Sequence, residues 1–124
     1  MKTPKQKLVK ECEEVWKEAV MTLHIDDDFG IPCMACQEQT ATVIHHFYYR
    51  SSYGHLKFDL DNGVPLCFKC HFLLHHQDPK TIERKIIENR GKKWYNKLTK
   101  KALNKPKPSY QTVEYLRGIL KKLK

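Results

Sequence analysis

Residues 45–75 read HHFYYRSSYGHLKFDLDNGVPLCFKCHFLLH, and this stretch holds most of the side chains that can bind a metal or move a proton. It opens on two adjacent histidines and closes on two histidines four residues apart. An asparagine, Asn62, lies between them. One Cys-x2-Cys pair precedes the stretch and a second overlaps its end. These spacings predict a metal-organised core over residues 33–78, with the rest of the chain packed around it.

Four of the five cysteines form the two pairs, Cys33/Cys36 and Cys67/Cys70. Zn²⁺ prefers four tetrahedral ligands, and two Cys-x2-Cys turns complete a closed structural site. Residues 37–66 separate the pairs and leave room for a hairpin between them. The alternative is a set of buried free thiols. We expect a structural zinc ion that ties the base of the hairpin to the start of the following helix.

His71 and His75 lie at i, i+4 in a predicted short helix over residues 71–76, so their imidazoles share one helix face. Such a pair can bind a divalent ion, and His45 on a predicted strand can supply a third ligand. We expect Mg²⁺, Mn²⁺, Ni²⁺ or Zn²⁺ as the catalytic ion. His76 is one step off this face and is expected at the surface.

His46 follows His45 on the predicted strand, so alternation places the two side chains on opposite sides. An imidazole that is not a ligand can serve as a general base at neutral pH, while a bound cation stabilises charge on a phosphate and on the leaving 3′ oxygen. The alternative for His46 is a hydrogen-bonded histidine in the core. For Asn62 three interpretations stay open: a turn residue before Gly63, an amide that orients the backbone near His46, or a metal contact.

The loop over residues 48–55 mixes aromatic rings, hydroxyls and one cation. Such groups contact phosphates or stack on bases, with Arg50 the best candidate for a phosphate clamp. Tyr48 and Tyr53 are further candidates for DNA contact. The alternative is that the tyrosines only cover the hairpin.

The hydrophobic pattern predicts an α + β fold. Leu8, Cys12, Trp16 and Leu23 fall on one face of an amphipathic helix over residues 4–24. Residues 41–47 form a strand, and the alternating residues 56–60 form its partner. The triplet Asp26-Asp27-Asp28 is expected to be a solvated turn, with a metal site as the alternative.

Further helices are expected after residue 78. Asp78 caps one that starts near Pro79, Gly91 interrupts the helical stretch, and Ser109 caps the last helix after a linker over residues 105–108. The whole chain, 1–124, is expected to be one domain: an N-terminal helix and loop over 1–32, the core over 33–78 and a basic helical tail over 79–124.

The net charge of +9 is unevenly distributed. Residues 25–79 carry 3 basic and 7 acidic groups, whereas residues 80–124 carry 15 basic and 3 acidic groups. A basic tail after an acidic core favours a polyanionic partner, nucleic acid above all, with Lys92, Lys93 and Lys97 as candidate contacts. The alternative is a solvated helix surface. The chain shows neither a secretory signal nor a membrane-length apolar run, so we expect a soluble, cytoplasmic protein in a bacterial or phage-infected cell.

In order and approximate spacing, the histidines, Asn62 and the second cysteine pair resemble HNH endonucleases with a ββα-metal core. The resemblance implies that His46 is the general base and Asn62 the structural asparagine. It also implies that His45, His71 and His75 hold the catalytic ion.

A narrower resemblance, over roughly residues 8–123, is to the phage recombination nucleases of the Rap/NinG family. It rests on the leading helix, the two cysteine pairs, His46, Asn62 and the basic helices around Gly91. This family is implied to cut branched intermediates such as Holliday junctions and D-loops. The chain has His45 where the family usually has Gly and His71 where it usually has Asn, and both differences bring it closer to the general HNH metal site.

The sequence therefore predicts a metal-dependent DNA endonuclease acting on branched DNA. Two alternatives remain open: a site-specific, homing-type or nonspecific nicking enzyme, and a non-catalytic zinc-containing DNA-binding module. A homodimer is a further option, because junction cutting usually requires two active sites.

Overall fold

The computed structural model describes residues 2–26, 30–50, 52–105 and 112–124. Within these residues the chain folds into five α helices and one two-stranded antiparallel sheet, which confirms the α + β class. The elements are α1 (Pro4–His24), β1 (Val43–His46), β2 (Gly63–Leu66), α2 (Phe68–His76), α3 (Pro79–Arg90), α4 (Lys92–Leu103) and α5 (Val113–Leu123).

The predicted N-terminal helix is present, and Thr3 begins it with a capping box that includes Gln6. Its buried residues are Cys12, Trp16 and Val20, one ridge at four-residue steps. The prediction that Leu23 faces inward is wrong, since this side chain is 61% exposed. The residues of α1 in the hydrophobic core end at Val20, so Leu23 lies beyond the apolar packing partners of the helix.

The predicted partner strand is also wrong. β1 pairs with Gly63–Leu66, with His46 opposite Gly63, and not with residues 56–60. Those residues instead run from the end of one 3₁₀ turn, Gly54–Leu56, to the start of a second, Leu60–Asn62. The alternation of apolar residues at 56–60 therefore reflects burial of Leu56 and Phe58 from a folded-back loop rather than from a strand.

Two hydrophobic clusters fix the sheet between helices. The first joins β2 to the cysteine pairs and to buried side chains of α2 and α3, including Leu74 and Ile86. The second joins α1 to α5 through Trp16 and Leu116 and includes Phe58. The sheet is thus held from the α2 side and from the α1 side, and these two sides carry the site described below.

The C-terminal helices follow the predicted order. Asp78 caps α3 by accepting from the Thr81 N–H, and Gly91 separates α3 from α4 with a φ of 104°, a region that L side chains rarely adopt. Thr112 caps α5. The predicted cap, Ser109, lies outside the described residues, as do Asp27 and Asp28. None of the helices in the described part of the chain has the length and apolar character that a membrane crossing requires.

Candidate metal centres and the histidine-lined cleft

The two cysteine pairs come together as predicted. The sulfur atoms of Cys33, Cys36, Cys67 and Cys70 all lie within 4.8 Å of one another, and those of Cys36 and Cys67 are 3.9 Å apart. Four sulfurs on a tetrahedral zinc ion lie about 3.8 Å apart, given a Zn–S distance of about 2.3 Å. The four cysteines can therefore hold a metal such as zinc.

Backbone amides support a thiolate at this centre. Burial opposes ionisation of Cys33, but the N–H groups of Cys67, Cys36 and Ala35 outweigh it and lower the pKa of the Cys33 thiol to about 7. Cys67 also caps α2, because its sulfur accepts from the Cys70 N–H. The metal-binding turn and the helix start are therefore the same piece of chain.

Asn89 of α3 supports the first cysteine turn and was not found from the sequence. Its Nδ2 donates to the carbonyls of Met34 and Ala35, at 2.7 and 3.0 Å. These two residues separate Cys33 from Cys36. An asparagine more than fifty positions away gives no local signal, so only the fold reveals this contact.

A second cluster contains three imidazoles. His45, His71 and His75 each offer a ring nitrogen within 4.8 Å of the others, and the Nε2 atoms of His71 and His75 are 3.0 Å apart. Two imidazoles bound at neighbouring octahedral positions, with metal–nitrogen distances of about 2.1 Å, also place their nitrogens about 3.0 Å apart. The spacing thus fits a shared divalent ion.

The neutral protonation state of His45 and His71 favours metal binding at this cluster. Burial, and then the neighbouring His71 and His75, lower the pKa of His45 to about 3. Burial and His75 also lower the pKa of His71. Neutral imidazoles are the form that binds metals. His75 and His76 are both exposed, but the His76 ring tilts over Phe72 with centroids 4.7 Å apart, whereas the Nε2 of His75 lies 3.0 Å from that of His71. Of the two adjacent histidines it is therefore His75 that joins the cluster.

His46 is held apart from the cluster. Its ring stacks on Trp16, with centroids 4.2 Å apart and an angle of 9° between the planes. Its Nε2 lies 2.9 Å from the Lys57 carbonyl oxygen. A carbonyl only accepts, so Nε2 carries the proton and, in the neutral ring, Nδ1 carries the lone pair. Burial also lowers the pKa of His46, which favours that neutral ring.

The three cluster histidines and His46 line one cleft, whose volume is about 430 Å³. Its walls come from α1, from β1 and the loop after it, and from α2. The lining residues are Lys17, Ile44, His45, His46, Tyr49, Arg50, His71 and His75. Strand alternation places His45 and His46 on opposite sides of β1, yet both residues line this cleft.

The aromatic residues of the loop after β1 lie in two different environments. Tyr48 bonds through its hydroxyl to Thr99 at 2.6 Å and packs on Tyr53, which favours the covering interpretation for both. Tyr49 instead meets the edge of His45 and stacks on His75 in the cleft. Tyr49 was not singled out from the sequence, because three tyrosines in six residues give no sign of which one lines the cleft.

Two cations stand at the cleft. The side chain of Arg50 is 61% exposed and forms an ion pair with Glu13 at 3.5 Å. Lys17, exposed on α1, is a second cation that the sequence argument missed. Among the candidates on α4, Lys92 and Lys93 are exposed, while Lys97 pairs with Asp61 at 3.6 Å.

Asn62 contacts the backbone and lies outside the imidazole cluster. Its amide is fully buried, accepts from the Tyr48 N–H at 2.8 Å, and donates to the carbonyls of Tyr48 and Leu56 at 3.0 and 3.2 Å. Of the three interpretations left open by the sequence, these contacts favour the one in which the amide orients the backbone. Asn62 closes the loop that starts beside His46.

Comparisons of the chain with protein-family models, with curated proteins and with solved structures found no match. The case for a function therefore rests on the geometry of this cleft.

Proposed function

We propose that the protein is a metal-dependent endonuclease that hydrolyses phosphodiester bonds in DNA. One observation carries the proposal. A single cleft contains a three-imidazole cluster of metal-binding geometry and a separately anchored histidine, His46, whose Nδ1 carries the lone pair. Hydrolysis of a phosphodiester needs these two functions, a cation site and a base, at one place.

His46 is the general base in this proposal. Its Nε2–H stays bonded to the Lys57 carbonyl, so Nδ1 takes a proton from the attacking water. The ring that stacks on it, the Trp16 indole, is only 1% exposed and is fixed by packing. The base therefore needs little reorganisation before reaction, which is the condition for efficient proton transfer.

His45, His71 and His75 would hold the divalent ion. Such an ion supplies charge stabilisation to the phosphate and to the leaving oxygen. Arg50 and Lys17 bind the phosphates on either side of the cleft opening, because both are exposed cations beside it. Asn62 keeps the loop that carries Arg50 closed against the turn that anchors His46.

The basic C-terminal region supports DNA as the substrate. Residues 80–124 include 15 basic and only 3 acidic residues, and Lys92 and Lys93 are exposed. Contacts of this kind bind the phosphate backbone without reading sequence, and they weaken steeply with salt. Branched recombination intermediates are the proposed targets on the basis of the resemblance to Rap/NinG nucleases.

The test is cleavage of a synthetic four-way junction and of a matched linear duplex with Mg²⁺, Mn²⁺, Ni²⁺ or Zn²⁺. Wild-type protein cuts at least one substrate, and His46→Ala binds it with unchanged affinity but cuts roughly 10²- to 10⁴-fold more slowly. His55→Ala is a matched control, because His55 bonds to the Lys101 carbonyl outside the cleft. Equal cutting of both substrates would favour a nonspecific nicking enzyme.

A DNA-binding module without catalysis is the second candidate, and the basic tail favours it independently of the cleft. Binding without cleavage under every metal tested would establish this candidate and refute the enzyme. The zinc centre is common to both candidates and does not decide between them.

A further inference from the structure

α1 lies outside the segment between the cysteine pairs, yet one of its faces reaches the cleft. Glu13, Trp16 and Lys17 occupy positions i, i+3 and i+4 of this helix, so they share that face. Lys17 lines the cleft, Glu13 pairs with Arg50 and with Lys57, and Trp16 stacks on His46. Of these interactions, the stacking of Trp16 on His46 bears most directly on the proposed general base.

The indole and the imidazole are anchored to the same turn. The Trp16 Nε1–H donates to the Asp59 carbonyl at 2.9 Å, and the His46 Nε2 lies at the same distance from the Lys57 carbonyl. Asn62 in turn bonds to the Leu56 carbonyl of this segment. The two nearly parallel rings therefore share one backbone support, and a shift of that support moves them together.

One hydrogen bond does not fix the orientation of a histidine ring. The bond at Nε2 holds one atom, but the ring can still tilt about the line from Cβ to that atom. A flat surface 4.2 Å from the ring centroid removes this freedom, because tilting drives one edge of the imidazole into the indole. The hydrogen bond and the stack together set the direction of the Nδ1 lone pair.

We propose that Trp16 is a positioning residue: its indole fixes the plane of His46 so that Nδ1 points in the direction that base catalysis requires. This inference rests on the proposed role of His46. The alternative is a purely structural role, in which Trp16, only 1% exposed, serves to fill the hydrophobic core.

The experiment compares three variants. Trp16→Leu keeps an apolar side chain without a ring plane, and Trp16→Phe restores a flat ring. Leu116→Ala is the matched control, because Leu116 is buried in the same hydrophobic cluster but belongs to α5. All are compared at a temperature where circular dichroism shows each to be folded.

Trp16→Leu is expected to lower kcat by about 10- to 100-fold with KM nearly unchanged, since misplacing a reacting group by about 1 Å costs roughly 10²-fold. Trp16→Phe recovers most of the rate. Leu116→Ala keeps the wild-type kcat although its melting temperature falls. An equal loss of kcat in Leu116→Ala, or none in Trp16→Leu, would overturn the proposal.

A second readout does not depend on activity. In zinc-loaded wild-type protein without added catalytic ion, ¹H–¹⁵N spectra of His46 should show one tautomer, protonated at Nε2. The indole ring current should move the His46 ring protons upfield. Trp16→Leu loses the upfield shift and mixes the tautomers, while Leu116→Ala keeps both features. Mixed tautomers or unshifted protons in the wild type would refute the positioning role, even if Trp16→Leu does not fold. Absence of cleavage by a wild type with the expected spectrum would instead refute the proposed function.

Discussion

Replacing Asn62 with alanine removes the side chain that holds the loop after β1. Its amide makes three hydrogen bonds to the backbone groups of Tyr48 and Leu56, and the side chain is fully buried. A hydrogen bond contributes about 1 kcal/mol net, and a buried group left unpaired costs about 1–3 kcal/mol. We therefore expect Asn62→Ala to lower the free energy of unfolding by about 3–5 kcal/mol.

Urea denaturation followed by tryptophan fluorescence measures this loss. With a slope of roughly 2 kcal/mol per molar, the unfolding midpoint should fall by about 1.5–2.5 M. Asn96→Ala is the matched control, since Asn96 is exposed on α4, and it should change stability by less than about 0.5 kcal/mol.

An aspartate at position 62 distinguishes the one hydrogen bond that the Asn62 side chain accepts from the two that it donates. It keeps the acceptor for the Tyr48 N–H but loses both donors and places a carboxylate beside two carbonyl oxygens. Asn62→Asp should therefore be at least as unstable as Asn62→Ala at neutral pH. A loss below about 1 kcal/mol in Asn62→Ala would refute the view that these hydrogen bonds close the loop.

Three further predictions concern the scaffold. Cys67→Ser should release the structural ion, measured by elemental analysis, and lower the melting temperature by at least ~10 °C, because the ion would link the turn that carries Cys33 and Cys36 to the start of α2; retention of the ion would contradict the four-sulfur site. Gly63→Ala should lower stability by about 1–3 kcal/mol in urea, since a Cβ there would lie 2.5 Å from Val20 Cγ2; an unchanged midpoint would contradict this packing. Burial raises the pKa of Asp61, but bonds to Lys101 outweigh it and hold the pKa below its usual range. The ionised Asp61 carboxylate therefore stabilises the fold at pH values above its unfolded-state pKa. The stability difference between wild type and Asp61→Asn should shrink as pH falls from about 5 to 2. A difference that stays constant would argue against a lowered Asp61 pKa.

The sequence predicted the parts of the site that depend on short spacings. His71 and His75 share a face because four residues make about one helical turn, and each cysteine pair fits one turn of chain. The spacing of each pair also fixes what it can bind. Both clusters in the structure consist of the residues that these rules selected.

The parts of the fold that the sequence did not predict depend on contacts between residues far apart in the chain. The true partner of β1 is Gly63–Leu66, whose four residues are all buried and therefore show no alternation. Residues 56–60 alternate but are held in turns, partly by Asn62. A pattern of apolar residues reports burial, and it does not say which hydrogen bonds the backbone makes.

The same limit applies to the neighbours of His46. Trp16 was predicted to lie on the apolar face of α1, and it does, but thirty positions separate it from the ring that it stacks on. Tyr49 and Lys17 reach the cleft for similar reasons of tertiary packing. Residue type and spacing identified candidate chemistry, whereas the fold decided which side chains surround it.

The most direct test of the account is the rate of DNA cleavage as a function of Mn²⁺ concentration in wild type, His75→Ala and His76→Ala. His75 belongs to the imidazole cluster, and the adjacent His76 does not. Wild type and His76→Ala should reach half-maximal rate at the same Mn²⁺ concentration, while His75→Ala should need at least about tenfold more. Equal metal dependence in all three proteins would contradict it, as would cleavage that needs no added ion.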